Sequence, residues 1–191
     1  MVQFVETRLA GAFRILLEPK VDARGSFTRT FSRDELEERG LADSLEQCNT
    51  VTNERAGTLR GIHYHLRPAG EVKFVQCVRG AVFDVLVDLR PESETYGEWI
   101  SLELQETRPE ILYIPKGMGH AYQTLEPQST VLYFMSEAFV AGTERGFRWD
   151  DPALGIPWPV ADPILSARDQ ALPDLDLERH RLEHSSNGGG S

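Results

Sequence analysis

The 191-residue sequence is poor in cysteine, short of cations and without a long apolar run, and each shortage excludes something. Cys48 and Cys77 are the only two cysteines and form no C-x-x-C pair, so no disulfide framework is expected. Their apolar neighbours suggest two buried, free thiols in a cytoplasmic protein. Lys and Arg number 20 against 30 Asp and Glu, a formal charge of −10. That deficit argues against nucleic acid or a membrane surface as partner, and leaves an anionic ligand only to a local cluster of Arg and Lys. No run of about 18 apolar residues is present, and "MVQFVETRLAG" lacks a signal-peptide core.

What is there reads as strands. "AVFDVLVDL" (81–89) alternates, with Ala81, Phe83, Val85, Val87 and Leu89 on one face and Val82, Asp84, Leu86 and Asp88 on the other. "VKFVQCV" (72–78), "EWISLEL" (98–104), "EILYI" (110–114), "HAYQTL" (120–125) and "STVLYFM" (129–135) continue the series between Gly- or Pro-bearing turns. Short strands at this spacing predict an all-β sandwich or barrel. "SRDELEERG" predicts a short peripheral helix, with Ser32 and Glu35 as a capping box and Gly40 at its end. The proline-rich stretch "RWDDPALGIPWPVADPILSARDQALPDL" reads as an arm laid over the barrel, with a short helix started by Ser166 and carrying Asp169. Residues 1–175 form one expected domain, and 176–191 a flexible tail of linker-like composition.

Chemistry concentrates in "RGIHYHLRPAGEVKF" (60–74). On an extended strand His63 and His65 share a face. With Glu71 and with His120 from "IPKGMGHAYQT", they are the donors a mononuclear metal site on a small barrel would use. The spacing resembles the cupin pattern, with Gly57, His63, His65, Glu71 and Gly80 in its first part and Pro115, Gly117 and His120 in its second. Lys73 opposes this metal reading, because an ammonium beside the site repels a divalent cation. The other reading is proton abstraction next to a ketone. It needs a base, here His63, and a positive group where the enolate oxygen forms, here Lys73. A carboxylate to orient the base and an acid on the opposite face of the substrate complete the requirement.

"GTLRGIHYH", "KFVQCVRGAVFDVLVDLR", "TYGEW", "YIPKGMGHAY", "RWDDPALGIPWP" and "PILSARDQ" together resemble the dTDP-4-dehydrorhamnose 3,5-epimerases and related sugar-nucleotide epimerases, over residues 3–175. The resemblance implies a cupin jelly-roll barrel with a few short peripheral helices, and catalysis without metal or other cofactor. It also implies a homodimer that exchanges an N-terminal segment. Carried over by position, His63 is the base, Asp169 its carboxylate partner, Lys73 the enolate stabiliser and Tyr133 the acid. Gln47, Asn49 and Arg60 line the nucleotide-sugar site. Arg24 and Phe27 in "RGSFTRTF" reach it from the partner subunit, and Asp84 and His120 support it. Arg24, Arg60 and Lys73 would supply the positive field for a diphosphate.

Two departures from the family pattern bear on specificity. Where double epimerases carry a Thr-Asp-Tyr-Tyr run, this chain has "SEAFV" with Ala138 and Phe139, which keeps inversion at carbon 3 alone open beside inversion at carbons 3 and 5. Arg29 stands where the family has Glu, in the segment that meets the nucleotide. The bland readings are His65 as a packing residue and Glu71 as a solvated loop residue. Three alternatives stand beside the epimerase: a metal-dependent cupin enzyme using His63, His65, Glu71 and His120, a cupin ketoisomerase acting on the same sugars, and a non-catalytic sugar-binding cupin.

Overall fold

A computed structural model describes residues 2–41, 44–65, 70–138 and 140–185. Among them two antiparallel sheets face each other. The first runs, in spatial order, β1 (Gln3–Glu6), β2 (Phe13–Leu16), β10 (Glu110–Ile114), β7 (Lys73–Arg79), β12 (Ser129–Met135) and β5 (Gln47–Asn53). The second runs β13 (Glu144–Gly146), β6 (Leu59–His65), β11 (Met118–Thr124), β8 (Ala81–Asp88) and β9 (Trp99–Gln105). A hairpin of β3 (Lys20–Asp22) and β4 (Gly25–Phe27) stands outside both. The helices are α1 (Arg33–Glu37), α2 (Ala167–Gln170) and α3 (Leu177–Ser185). The expected cupin jelly roll is the fold observed.

The period-2 pattern of the strands explains the layering. Val75, Cys77, Leu112, Ile114 and Val131 from the first sheet meet Val82, Leu86, Leu104, Met118 and Tyr122 from the second in one buried core. The opposite face of β8 is not solvated. Val85 and Val87, with Ile62 and Ala121, lie under Phe147 and under Leu154 of the proline-rich stretch, joined by Ile156, Trp158 and Leu175. The arm is pinned by polar contacts as well. Gln123 donates to Val160 O and accepts from Val160 N, both at 2.9 Å, and Trp99 Nε1 donates to Leu154 O at 2.8 Å. Backbone bonds from Ile164 N to Gly57 O and from Leu59 N to Ile164 O then lead the chain along β6, so that residues 166–170 arrive beside its histidines.

Several expectations need correction. Ser32 makes no side-chain cap bond, so the capping box does not form. The approach to α1 is set instead by Phe31, whose ring packs on Phe74 and Phe134. Cys48 is exposed rather than buried, because it lies on the outward face of edge strand β5 opposite Phe134. Cys77 is buried, and burial pushes its thiol up to about 11. Residues 177–185, expected within the flexible tail, form α3. Tyr96 OH bonds both Leu177 O and His180 Nδ1 at 2.9 Å, and burial beside His184 lowers His180 to about 4.

Candidate active site

Strand β6 carries the first half of the site, and a glycine decides how. Gly61 has φ +118°, and a Cβ there would come within 2.6 Å of His120 O and 2.7 Å of Ala121 Cβ. Only glycine allows β6 and β11 to approach this closely. The ladder between them shifts register at this point, with His63 opposite His120 but Arg60 opposite Tyr122. On a regular strand, residues three apart point to opposite faces. The irregularity lets Arg60 and His63 serve the same cavity, as Arg60 Nε shows by donating to Asn53 Oδ1 at 2.9 Å.

The three histidines of the sheets do not converge. Each turns to its own carboxylate. His63 Nε2 lies 2.7 Å from Asp169 Oδ1, His65 Nε2 lies 3.0 Å from Glu71 Oε1, and His120 Nε2 lies 3.0 Å from Asp84 Oδ2. Lys73 Nζ is 3.1 Å from the same Glu71 oxygen, so the carboxylate a divalent ion would need already has an ammonium for its counterion. Among the described residues no group of three His, Cys, Asp or Glu side chains could hold a metal ion. Glu71 is therefore a buried ion-pair partner rather than a solvated loop residue, and His65 is the histidine that pairs with it.

Asp169 is 5 % exposed. Burial alone would raise its carboxyl, but the His63 ring, with Ser166 and the Gly61 N–H, outweighs it and holds the group below its usual value. Its own N–H donates to Ser166 Oγ at 3.0 Å, the cap expected from "SARDQ". Donating the Nε2 proton of His63 to Asp169 places the lone pair of the neutral ring on Nδ1. Glu144 Oε1 is 3.5 Å from that Nδ1, too far for a hydrogen bond, and Glu144 Oε2 is held at 2.6 Å by Arg168.

The first sheet supplies the opposing wall. Lys73 and Val75 of β7, Tyr133 and Met135 of β12, and Gln47 and Asn49 of β5 share its inner face by register. Gln47 and Asn49 both donate to Met135 Sδ, at 3.1 and 3.4 Å. Tyr133 packs its ring against His120 and Tyr122, at centroid distances of 6.0 and 6.4 Å. Burial, reinforced by Tyr122 and Asp84, pushes its phenol well above the usual value, so it carries its proton at neutral pH. Burial also raises Asp84, which His120 and Lys73 offset only in part.

The sequence-predicted residues thus fall into two groups. His63, Asp169, Lys73, Tyr133, Arg60, Gln47, Asn49, Asp84 and His120 gather between the sheets. Arg24 and Phe27 do not join them. Arg24 pairs with Asp22 at 2.6 Å on the outlying hairpin, and Phe27 is exposed there. Phe139 lies outside the described residues. Asn53, Tyr122 and Glu144 were not foreseen. Tyr122 and Asn53 bond each other at 3.2 Å behind Arg60, and Glu144 belongs to a three-residue strand with no sequence signal. Gly61 alone left a clue, as a glycine inside a strand.

Comparison with known proteins agrees with this geometry. A family model described as dTDP-4-dehydrorhamnose 3,5-epimerase matches residues 6–176. A dTDP-4-dehydrorhamnose 3,5-epimerase of Sinorhizobium fredii is 40% identical over 156 residues, 81% of this chain and 80% of that relative. A dTDP-4-dehydrorhamnose 3-epimerase of Streptomyces niveus is 39% identical over 163 residues, 85% of this chain and 78% of the relative. The crystal structure of the Bacillus anthracis dTDP-4-dehydrorhamnose 3,5-epimerase, with TDP and PPi bound, superposes with a TM-score of 0.89 at 36% identity, covering 92% of this chain and 100% of that one.

Proposed function

The chain belongs to the dTDP-4-dehydrorhamnose 3,5-epimerase family, and from that premise we propose how its own residues epimerise a dTDP-4-keto-6-deoxyhexose. His63, oriented by Asp169, removes the proton at carbon 3. Lys73 stabilises the enolate oxygen formed from the 4-ketone, and Tyr133 returns a proton to the other face of the ring. The observation that carries this reading is the 2.7 Å His63–Asp169 pair on one sheet, with Tyr133 on the sheet that faces it. Base and acid on opposite walls are what inversion requires, since a proton removed from one face must be replaced from the other. Arg60, Gln47 and Asn49 hold the nucleotide sugar, and Asp84 and His120 support the site from behind.

Residues 1–175 act as one domain in this reading. The hairpin, with Val21 and Phe27 exposed at 77% and 66%, is the segment that reaches a second copy, carrying Arg24 to the partner's nucleotide. Two free cysteines fit a cytoplasmic setting, and no helix among the described residues is long and apolar enough to cross a membrane. The three histidines and Glu71 of the metal alternative are engaged in three separate pairs, His63 with Asp169, His65 with Glu71 and His120 with Asp84, which favours the epimerase.

The test is incubation with dTDP-4-keto-6-deoxyglucose in D₂O containing EDTA, with each ring proton followed by NMR. Deuterium entering carbon 3 while EDTA is present is the expected result. Deuterium at carbon 5 as well would mark a double epimerase. Exchange appearing only when a divalent metal is restored would overturn the mechanism.

Tyr133→Phe separates the two half-reactions. Exchange at carbon 3 should persist within about tenfold, because His63 still removes and returns the proton from its own side. Epimer formation should fall about 10²-fold or more, the usual contribution of a positioned acid. Epimer appearing at the wild-type rate would remove Tyr133 from this role.

A further inference from the structure

We propose that Glu71 is a positioning residue for Lys73, and that His65 serves the reaction by holding Glu71. The inference rests on the role given to Lys73 above. An ammonium on a four-carbon stem is a mobile point charge. A group that stabilises a developing enolate must be charged and already in place. The Lys73 side chain is only 12% exposed, and Glu71 Oε1 lies 3.1 Å from its Nζ.

Glu71 is itself fixed from two directions. His65 Nε2 meets the same oxygen at 3.0 Å, and Thr143 Oγ1 lies 3.3 Å from the other ring nitrogen of His65. The backbone between Glu71 and Lys73 is tied to the end of β12, with Val72 N donating to Ser136 Oγ at 2.9 Å and Ser136 N to Val72 O at 3.0 Å. Burial would raise the Glu71 carboxyl, but His65 and Lys73 outweigh it and hold the group below its usual value. It is therefore an anion at neutral pH. An ammonium has three N–H donors, so pairing with Glu71 leaves donors for the substrate oxygen. Asp84, the other carboxylate acting on Lys73, is already engaged by His120, which leaves Glu71 as the group that sets the ammonium's position.

A double-mutant cycle on the full chain tests this, with dTDP-4-keto-6-deoxyglucose as substrate. Glu71→Gln keeps the shape of the side chain and removes its charge. It should lower kcat about ten- to thirtyfold and leave KM within about threefold, the pattern of an interaction felt mainly in the transition state. In a Lys73→Ala background the same substitution should change kcat by less than about threefold, because the group it acts through is gone. An equal penalty in both backgrounds, or an unchanged kcat in Glu71→Gln, overturns the proposal. If Glu71→Gln fails to fold, Glu71→Asp enters the same cycle; it keeps the charge but falls one methylene short of Lys73, and the same two outcomes decide. An inactive wild type would sink the epimerase reading itself. An active wild type with an impaired Lys73→Ala and a normal Glu71→Gln would sink this inference alone.

Discussion

Replacing His63 by alanine should lower epimerisation of the nucleotide sugar by about 10³-fold or more, within the range expected for a lost general base. Solvent exchange at carbon 3 should fall with it, since no other described side chain has both a 2.7 Å carboxylate partner in Asp169 and a second ring nitrogen clear of hydrogen bonds. Fold and chemistry must be kept apart in this experiment. Alanine would leave Asp169 buried without its ring partner, a loss of roughly 1–3 kcal/mol. His63→Gln keeps a donor for Asp169 and still removes the base, so it should lose activity equally and melt closer to wild type.

The pair also predicts the direction of a pH effect on folding. Asp169 is held below its unfolded value, so it contributes stability above the ordinary carboxylate range and loses it as pH falls through the lowered folded value. His63→Ala should flatten that acid limb. Turnover near wild type in either variant would remove His63 as the base.

Strands whose two faces differ in chemistry were legible in the sequence. "EILYI" and "STVLYFM" coincide with β10 and β12, and alternation in 81–89 correctly divides β8 into a face toward the opposing sheet and a face under the arm. Alternation could not say that both faces are buried, because that depends on a segment more than sixty residues away. Edge strand β5 escaped notice for a different reason. Its sequence "QCNTVTN" is polar because its inner face lines the site rather than the core. His63 and Asp169 are 106 positions apart, and only the resemblance joined them before the fold did.

Glu71 was misread because burial of a charged residue cannot be inferred without its partners. His65 and Lys73 flank it closely in sequence, yet which groups they face is set by packing between sheets. Arg60 and His63 pose the same difficulty. Their three-residue spacing argues against a shared face until the register shift at Gly61 is known.

Lys73→Ala is expected to lower kcat about 10²- to 10³-fold, corresponding to roughly 3–4 kcal/mol of lost oxyanion stabilisation. The magnitude follows from the chemistry of the step. A proton beside a ketone is far less acidic than an imidazolium, so His63 alone faces a steep uphill transfer that stabilisation of the enolate must offset. The substrate ketone bears little of that charge, so KM should move much less than kcat. The signature differs from that of Tyr133→Phe. Losing the acid should leave exchange at carbon 3 running while inversion stops, whereas losing the ammonium should slow exchange and inversion together, because both pass through the same enolate. Exchange near the wild-type rate in Lys73→Ala would mean that the enolate is stabilised elsewhere. Arg60, on the same sheet as Tyr122 and with its charge reaching Tyr133 on the facing one, would then be the next cation to replace.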